Sequence, residues 1–554
     1  MSSAADTVSA GHLLVAQLEA AGIPRVYAVP GESYLDVLDG LHASPIRTVV
    51  ARHEGGAGFM ALAEGRLTDR PGVAMVTRGP GAANAFIAVH TAYQDATPLV
   101  LFIGLVPVAD RGRESFQEFD PAAWFGSTAK KVLVLEDPAA AARIVDEALH
   151  TAASGRPGPV VVGLPEDLLV RQVPARTVPP RPVAAPAPDD AALARLADLL
   201  RASRRPLLVA GGEGWTAQAA DAVAGWAAAR GIPVATDFRA FDSVPHASEA
   251  YVGGLGYGRA ESTAACLEHA DLLLFVGCVR SDVLSDGYRL GGSAVTVVVN
   301  PDPELLGHDG RVDLQVTAGP ASFAAALPRL DALPGPAPAH EADWLKSARA
   351  AWETARIPAP DTVGGVDLGL AMAAVEARKE PDAILTFGAG NHTGWAGRFL
   401  SLNGPDSLVG PRNGAMGAGI PAAVAASLAY PDRQVISVAG DGCFLMNAQE
   451  IATAVAAGAR FTAIVVDNAG YGTIKGHQEQ AYPGRPSGTD LVNPDFAAWA
   501  QSFGGYGERV EHTGDFPAAF ERAAASGRPA VLHVIQDPAV RTPLSQSIPE
   551  ERPL

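Results

Sequence analysis

The chain has 554 residues, more than one hydrophobic core usually serves, so about two to four domains are expected. At 48% hydrophobic and 18% charged it fits soluble α/β layers, and 60 acids against 42 bases exclude a nucleic-acid binder and oblige a phosphate ligand to use a metal or backbone donors. Three cysteines (Cys266, Cys278, Cys443) exclude a disulfide framework and show no metal-ligand spacing, which makes a reducing cytoplasm the default location.

The opening stretch MSSAADTVSAGHLLVAQLEAAG lacks a basic start followed by an apolar run, so it reads as an amphipathic helix rather than a signal peptide. AVPGES (28–33) has the form of a β-to-α turn at Gly31 to Ser33. VVARHEGGAGFMALAEGRLT (49–68) reads as a strand running into His53 and Glu54, then two glycines and a helix; TRGPGAANAFIAVHTAYQDATPLV (77–100) follows with a Gly-Pro-Gly turn after Arg78. The Pro/Ala-rich stretches VPARTVPPRPVAAPAPDD (173–190) and LPGPAPAHEAD (333–343) cannot continue helix or sheet and read as surface linkers. They leave domains at 1–172, 191–333 and 363–554, with a linker and helix at 334–362. Throughout, β-branched runs (VVVG, RPLLVAG, DLLLFVG, VTVVVN, DAILTFGAG, RQVISVAG, FTAIVVDN) alternate with Ala-rich segments, which predicts an α/β protein of three doubly wound parallel-sheet domains. The uncharged stretch Asn413 to Tyr430 is short for a membrane span and carries Gly and Pro, so it reads as a buried loop and helix.

In the last third, VAGDGCFLMNAQEI (438–451) leaves one acid, Asp441, between two glycines where an apolar run ends. A helix at about Leu445 to Ala457 follows, then a stop at Gly458 and a strand into Asp467 and Asn468. Ligands of open parallel sheets gather beyond the carboxyl ends of strands, so Asp441 and Asn468, 27 positions apart, are expected side by side there. Hard oxygen ligands suit Mg²⁺, while Gly440 and Gly442 let the backbone approach a diphosphate at a helix N-terminus. A Gly-Asp-Gly tripeptide alone is more often a solvent-facing turn; the paired Asn468 is what favours the metal reading.

Here the sequence resembles the thiamine-diphosphate-dependent enzymes of the acetolactate synthase and benzoylformate decarboxylase type. The family's metal motif is matched as GDG (440–442), 24 residues, then DN (467–468), where the family ends in two asparagines. The resemblance implies thiamine diphosphate and Mg²⁺, the metal held by Asp441, Asn468 and the carbonyl of Gly470. GAGNHTGWAG (388–397) nominates Asn391 and His392 for the diphosphate; PRNGAMGAGIPAA (411–423) nominates the Gly414 carbonyl for the 4'-amino group and Met416 as the wedge that bends the cofactor. Glu54 matches the glutamate that shuttles a proton at pyrimidine N1', help of a kind worth roughly 100- to 10,000-fold. Gly31, Gly79, Pro80, Asn84, Gly440, Gly442, Cys443, Tyr471 and Gly472 complete the implied cofactor shell. The family joins pyrimidine and diphosphate domains from different subunits, which implies a homodimer or homotetramer with active sites at the subunit interface.

GLVPVADRGRESFQEFD (104–120) is similar to the acetolactate synthase loop, with its Phe-Gln-Glu kept as Phe116, Gln117 and Glu118. Gln117 is nominated to reach the bound intermediate. The departures are Leu105 in place of a glutamine, His477 in place of a pocket tryptophan and His90 in place of a small residue. His90 and His477 are therefore candidate catalytic groups, although a lone histidine on a helix is more often a satisfied core group. Segments of the middle part are similar to those that cradle FAD in acetolactate synthases, which makes FAD a candidate structural cofactor. The implied activity is decarboxylation of a pyruvate-like 2-oxo acid with transfer of the aldehyde unit to a second carbonyl, without nucleic-acid or membrane partners. The alternatives are a simple 2-oxo acid decarboxylase or C–C lyase, and a non-catalytic nucleotide-binding oligomer with a vestigial site.

Overall fold

The computed structural model describes residues 7–68, 70–307, 312–360 and 364–543; the C-terminal tail from 544 lies outside them. The first sheet comprises β1 (Arg25–Ala28), β2 (Arg47–Val50), β3 (Gly72–Thr77), β4 (Leu99–Leu105), β5 (Lys131–Val134) and β6 (Pro159–Pro165), all parallel, in the spatial order β2-β1-β3-β4-β6-β5. β4 and β6 are buried along their whole length, as apolar runs covered by helices on both faces must be. A short antiparallel pair, Thr7–Ser9 with Gln172–Pro174, ties the two ends of this region together.

The central sheet comprises β7 (Pro206–Ala210), β8 (Val234–Thr236), β9 (Tyr251–Gly254), β10 (Leu272–Val276), β11 (Val295–Asn300) and β12 (Leu314–Thr317). Its order, β9-β8-β7-β10-β11-β12, is that of dinucleotide-binding doubly wound folds. The third sheet comprises β13 (Ile384–Phe387), β14 (Leu408–Val409), β15 (Val435–Gly440), β16 (Phe461–Asp467), β17 (Tyr506–Val510) and β18 (Pro529–Ile535), in the order β14-β13-β15-β16-β18-β17. Each strand takes the same place as its counterpart in the first sheet. All pairings in both are parallel, so every strand of a sheet ends on the same edge.

By packing, Met1–Ala184, Ile420–Pro431 and Asn447–Ala459 make one compact unit, and Ala185–Gly419, Asp432–Met446 and Arg460–Leu554 a second. Two helical segments late in the chain thus belong with the first sheet. Within that unit Arg25 Nη1 donates to Leu428 O at 3.1 Å, and Thr453 Oγ1 lies 3.3 Å from Val50 O. The helix expected over 445–457 is divided: Asp441–Leu445 forms one, residues 446–449 turn, and Glu450–Ala457 forms another. At the break the Glu450 amide bonds to Asn447 O at 3.1 Å, a three-residue step, and polar side chains such as Asn447 favour turns over helix interiors. Gly458 ends the second helix in the left-handed conformation, φ 69°.

Candidate functional site

The second unit holds a cavity of about 210 Å³ beyond the carboxyl ends of β13, β15 and β16. Every cofactor residue expected in the last third lines it: Asn391, His392, Gly414, Met416, Gly440, Asp441, Gly442, Cys443, Asn468, Gly470, Tyr471 and Gly472. Asp441 begins a helix directly after β15, and its carboxylate is 3% exposed. Oδ1 accepts from the Gly442 amide at 2.8 Å; Oδ2 accepts from the Gly470 amide at 3.0 Å and from Asn493 Nδ2 at 2.8 Å. Burial, together with the nearby charge of Asp467, pushes the Asp441 carboxyl up, and among the described residues no basic side chain forms an ion pair with it. A divalent cation would suit this buried charge.

Asp467, where the resemblance leads one to expect asparagine, faces the other way. Its Oδ2 meets His533 Nε2 at 2.8 Å and its Oδ1 accepts from Asn493 Nδ2 at 2.8 Å and from the Ala469 amide at 2.9 Å. Burial alone would raise its pKa; these hydrogen bonds outweigh that and hold it below the usual carboxylate range. Ala469 turns through φ 53°, an uncommon left-handed conformation for a side-chain-bearing residue, and so brings Gly470 to Asp441. Neither Asn493 nor His533 belongs to a recognisable motif; only the fold brings them here.

His392, whose ring lies beside Gly440, is 6% exposed, and its Nε2 has no hydrogen-bond partner among the described residues. Burial, reinforced by Arg239, pushes its pKa down to about 3, so the ring is neutral and one nitrogen is unmatched beside the cavity. Arg239, from the central domain, reaches the same segment: Nη1 donates to Gly388 O at 2.5 Å and Nη2 to Thr393 Oγ1 at 3.2 Å. Asn391 Oδ1 accepts from Thr473 Oγ1 at 2.7 Å. Cys443 Sγ accepts from the amides of Ala389 and Gly417, both at 3.3 Å, and burial raises its thiol pKa, so it joins two loops rather than acting as a nucleophile. The glycines keep the cradle open, since a Cβ on Gly440 would stand 2.9 Å from His392 Nδ1 and one on Gly442 2.6 Å from Tyr471 Cε1.

These residues fit a diphosphate with a divalent cation. The orphaned imidazole nitrogen and the open glycine backbones suit phosphate oxygens, and one carboxylate, one amide and one carbonyl offer hard oxygen ligands. Among the described residues no three of His, Cys, Asp and Glu gather as a metal site, as a set with a single acid requires.

In the first unit, Glu54 opens the helix Glu54–Leu67 immediately beyond β2, with His53 as its cap. Its Oε2 accepts from Asn84 Nδ2 at 2.9 Å, across the contact between this helix and Arg78–Asp95. The helices approach closely because Gly58 faces Ala88, whose Cβ would lie 2.5 Å from a Cβ there. Glu54 is half-buried in the single chain. Gly31 packs against Thr77, and Gly79 and Pro80 form the first turn of the second helix.

A separate cavity of about 260 Å³ in this unit is lined by Arg78, Leu105, Arg111, Gln117 and Glu118 among others. Gln117 adopts φ 64°, Arg78 φ 38°, and the Gly79 amide bonds to Gln117 O at 3.0 Å, so two strained residues are tied together at its edge. Arg78 is committed to Glu166, at 2.8 Å, and Glu32, at 3.5 Å. The Gln117 side-chain oxygen is buried and unpartnered among the described residues. His90 and His477 line neither cavity: His90 is half-buried on the helix Arg78–Asp95, and His477 is exposed on Gly472–Ala481. In the central domain, glycine turns after β7 and β10 pack tightly, a Cβ on Gly212 falling 1.8 Å from Gly277 O.

Three family models match along the chain: the N-terminal TPP binding domain of thiamine pyrophosphate enzymes over residues 8–124, the central domain over 193–327, and the C-terminal TPP binding domain over 388–534. The acetolactate synthase large subunit of Parasynechococcus marenigrum is 33% identical over 531 residues, covering 92% of this chain and 84% of that protein. The acetolactate synthase of Mycobacterium bovis is 30% identical, covering 92% and 85%, and the isozyme 2 large subunit of Escherichia coli 28% identical, covering 95% of each. With all three domains matched in order and relatives aligned over most of their length, the chain belongs to the thiamine pyrophosphate enzyme family.

Proposed function

We propose that this chain is a thiamine-diphosphate-dependent carboligase that decarboxylates a pyruvate-like 2-oxo acid and passes the remaining aldehyde unit to a second carbonyl. The observation that carries this reading is the end-to-end likeness to acetolactate synthases, joined to an acid and a metal-type cradle kept intact. Thiamine diphosphate, when bound, supplies the electron sink for the decarboxylation. In this reading Asp441, Asn468 and the Gly470 carbonyl would hold Mg²⁺. His392 Nε2 and Asn391 bond the diphosphate oxygens, and the Gly440 and Gly442 backbones let them approach. Gly414 O would accept from the 4'-amino group, and Met416 would serve as the wedge beside the cofactor. Glu54, steadied by Asn84, exchanges a proton at N1', and Gln117 orients the substrate.

The same reading places the active site between subunits of a homodimer or homotetramer, in the cytoplasm. It divides the chain at 1–172, 191–333 and 363–554. FAD remains a candidate structural group for the central domain on its strand order alone, and no step passes through it. His90 and His477 remain candidates only if a partner subunit brings them to the reacting atoms. Leu105, in the loop over 104–120, and His477, on the separate segment 471–485, depart from acetolactate synthase, which weakens a literal acetolactate synthase assignment and keeps simple decarboxylation or C–C cleavage as the second reading.

Product analysis separates these readings. Pyruvate alone should yield acetolactate, and an added aldehyde should yield a mixed hydroxyketone. Free acetaldehyde as the sole product would establish a simple decarboxylase, and cleavage of a 2-hydroxy ketone without decarboxylation a lyase. Protein that binds no thiamine diphosphate would leave the non-catalytic oligomer.

A further inference from the structure

Glu450 is the first residue of the helix Glu450–Ala457 and is 0% exposed, yet it pairs with no basic side chain at ion-pair distance among the described residues. Its carboxylate instead receives the Arg52 amide, at 3.1 Å to Oε1 and 3.2 Å to Oε2, with the His53 amide also directed at it. Thr453 Oγ1 donates to Oε2 at 2.6 Å. These are the last amides before Glu54. A buried carboxylate is unfavourable unless it is well hydrogen-bonded, so this one is held in place by the turn, and the turn by it.

The arrangement changes what Glu54 is free to do. An acid in the first turn of a helix ordinarily folds back on exposed amides, favoured by the helix dipole. Here His53 Nδ1 takes the Gly55 amide at 3.0 Å, and Glu450 takes the amides of Arg52 and His53. Glu54 is thereby released from capping, and its carboxylate turns to Asn84. Gly56 belongs to the same device: a Cβ there would lie 2.4 Å from Glu450 Oε1 and 2.7 Å from Cδ, so the glycine leaves the carboxylate its place.

We infer that Glu450 is a positioning residue for Glu54, fixing the turn of residues 51–53 so that the Glu54 carboxyl points at its proton-transfer partner. The inference rests on the reading of Glu54 as the acid at pyrimidine N1'. A misplacement of about 1 Å at a reacting group costs on the order of 100-fold, so loss of this brace should fall near that figure.

The test uses the full chain with Mg²⁺ and thiamine diphosphate, and measures C2-proton exchange of the bound cofactor by quenched NMR, cofactor affinity by tryptophan fluorescence, and the thermal transition. Glu450→Gln, which keeps shape and loses one full acceptor, should slow exchange about 10- to 100-fold while affinity stays within about threefold. In a Glu54→Gln background the second substitution should add nothing, which a general structural loss would not reproduce. Gly56→Ala, which displaces the same carboxylate from the other side, should slow exchange similarly and serves if Glu450→Gln folds poorly. Slow exchange in Glu54→Gln with normal exchange in both Glu450→Gln and Gly56→Ala would overturn the positioning role. Additive losses in the double variant would overturn it too. Normal exchange in Glu54→Gln itself would instead sink the underlying reading of Glu54.

Discussion

Asn493→Ala tests the proposed metal site directly, because one amide group bridges two acids. Its Nδ2 donates to Asp441 Oδ2 and to Asp467 Oδ1, both at 2.8 Å. A hydrogen bond to a charged group is worth about 1.5–3 kcal/mol, so the pair sets an upper bound of roughly 3–6 kcal/mol. The loss should be smaller. Asp441 keeps the amides of Gly442 and Gly470, Asp467 keeps His533 and the Ala469 amide, and water can enter where half-buried Asn493 stood. About 2 kcal/mol is therefore expected in metal-free protein, with a melt lowered by a few degrees. The larger effect should fall on the cation, since removing a group that orients a ligand typically costs about 10- to 100-fold in metal affinity. Saturating Mg²⁺ with thiamine diphosphate should recover most of the lost melting temperature, because the cation relieves the newly unscreened pair of acids. Asn493→Asp, which puts a third carboxylate where the donor stood, should be worse than Asn493→Ala. The assay is a Mg²⁺ titration of cofactor retention, with melts in its presence and absence. A half-saturation point within twofold of the parent and an unchanged melt would refute the claim that Asn493 orients Asp441.

Glu54→Gln should retain Mg²⁺ and cofactor yet lose C2-proton exchange by about 100-fold or more; exchange near the parent rate would remove Glu54 from the mechanism. His246 is 2% exposed, contacts Phe241 O through Nε2 at 2.8 Å, and burial holds its pKa down at about 3 against an ordinary value near 6.5. The unfolded chain therefore binds the proton first, so the stability from a neutral His246 is present above about pH 6.5 and is lost as pH falls toward 3. His246→Gln should flatten the stability-pH slope over that range by up to about 1.4 kcal/mol per unit, and an unchanged slope in urea melts would contradict the assignment. All three cysteines are buried, with Cys266 pushed up to about 12 and Cys278 and Cys443 also raised by burial, so native protein should resist a disulfide-exchange reagent until it unfolds. Rapid labelling of even one thiol in folded protein would show that this packing opens in solution.

Much of this was legible in the residues because the signals are local. Strand runs end in turn residues, and Asp441 and Asn468 stand one strand-helix-strand apart, so their meeting follows from parallel-sheet geometry. Asn493, Arg239, His533 and Glu450 were not legible. Each acts through a partner far along the chain, up to 398 positions for Glu450 and Arg52, and nothing in its immediate sequence distinguishes it from an ordinary polar residue. The divided helix at 446–449 was hidden for a different reason: the apolar spacing continues across it, while the Asn447 turn interrupts the hydrogen bonding. The substitution of Asp467 for a family asparagine acquires a physical basis only once His533 and Asn493 are seen to compensate the extra charge.

The two outer sheets suggest why so many candidate residues fall where they do. Counted within its own sheet, the first strand is followed by Gly31 in one and Asn391 and His392 in the other; the second by Glu54, and by Gly414 and Met416. The third is followed by Arg78, Gly79 and Pro80, and by Asp441 and Gly442; the fourth by the loop bearing Gln117, and by Asn468 and Gly470. In the order 2-1-3-4-6-5 the chain reverses direction between strands one and three, and there the loops diverge to leave a crevice. In the third sheet that crevice is open and lined by His392 and Asp441; in the first, Gly31 closes on Thr77, and the useful group is the acid one strand outward. Under the proposed function, one architecture would thus serve as a cation cradle in one copy and carry a proton-handling acid in the other, according to which strand end carries glycines and which a carboxylate. His90 and His477 are the nominated catalytic residues that sit inside helices rather than at these ends, and both lie off the cavities. Position at a strand end, more than residue type, separates the groups that converge from those that do not.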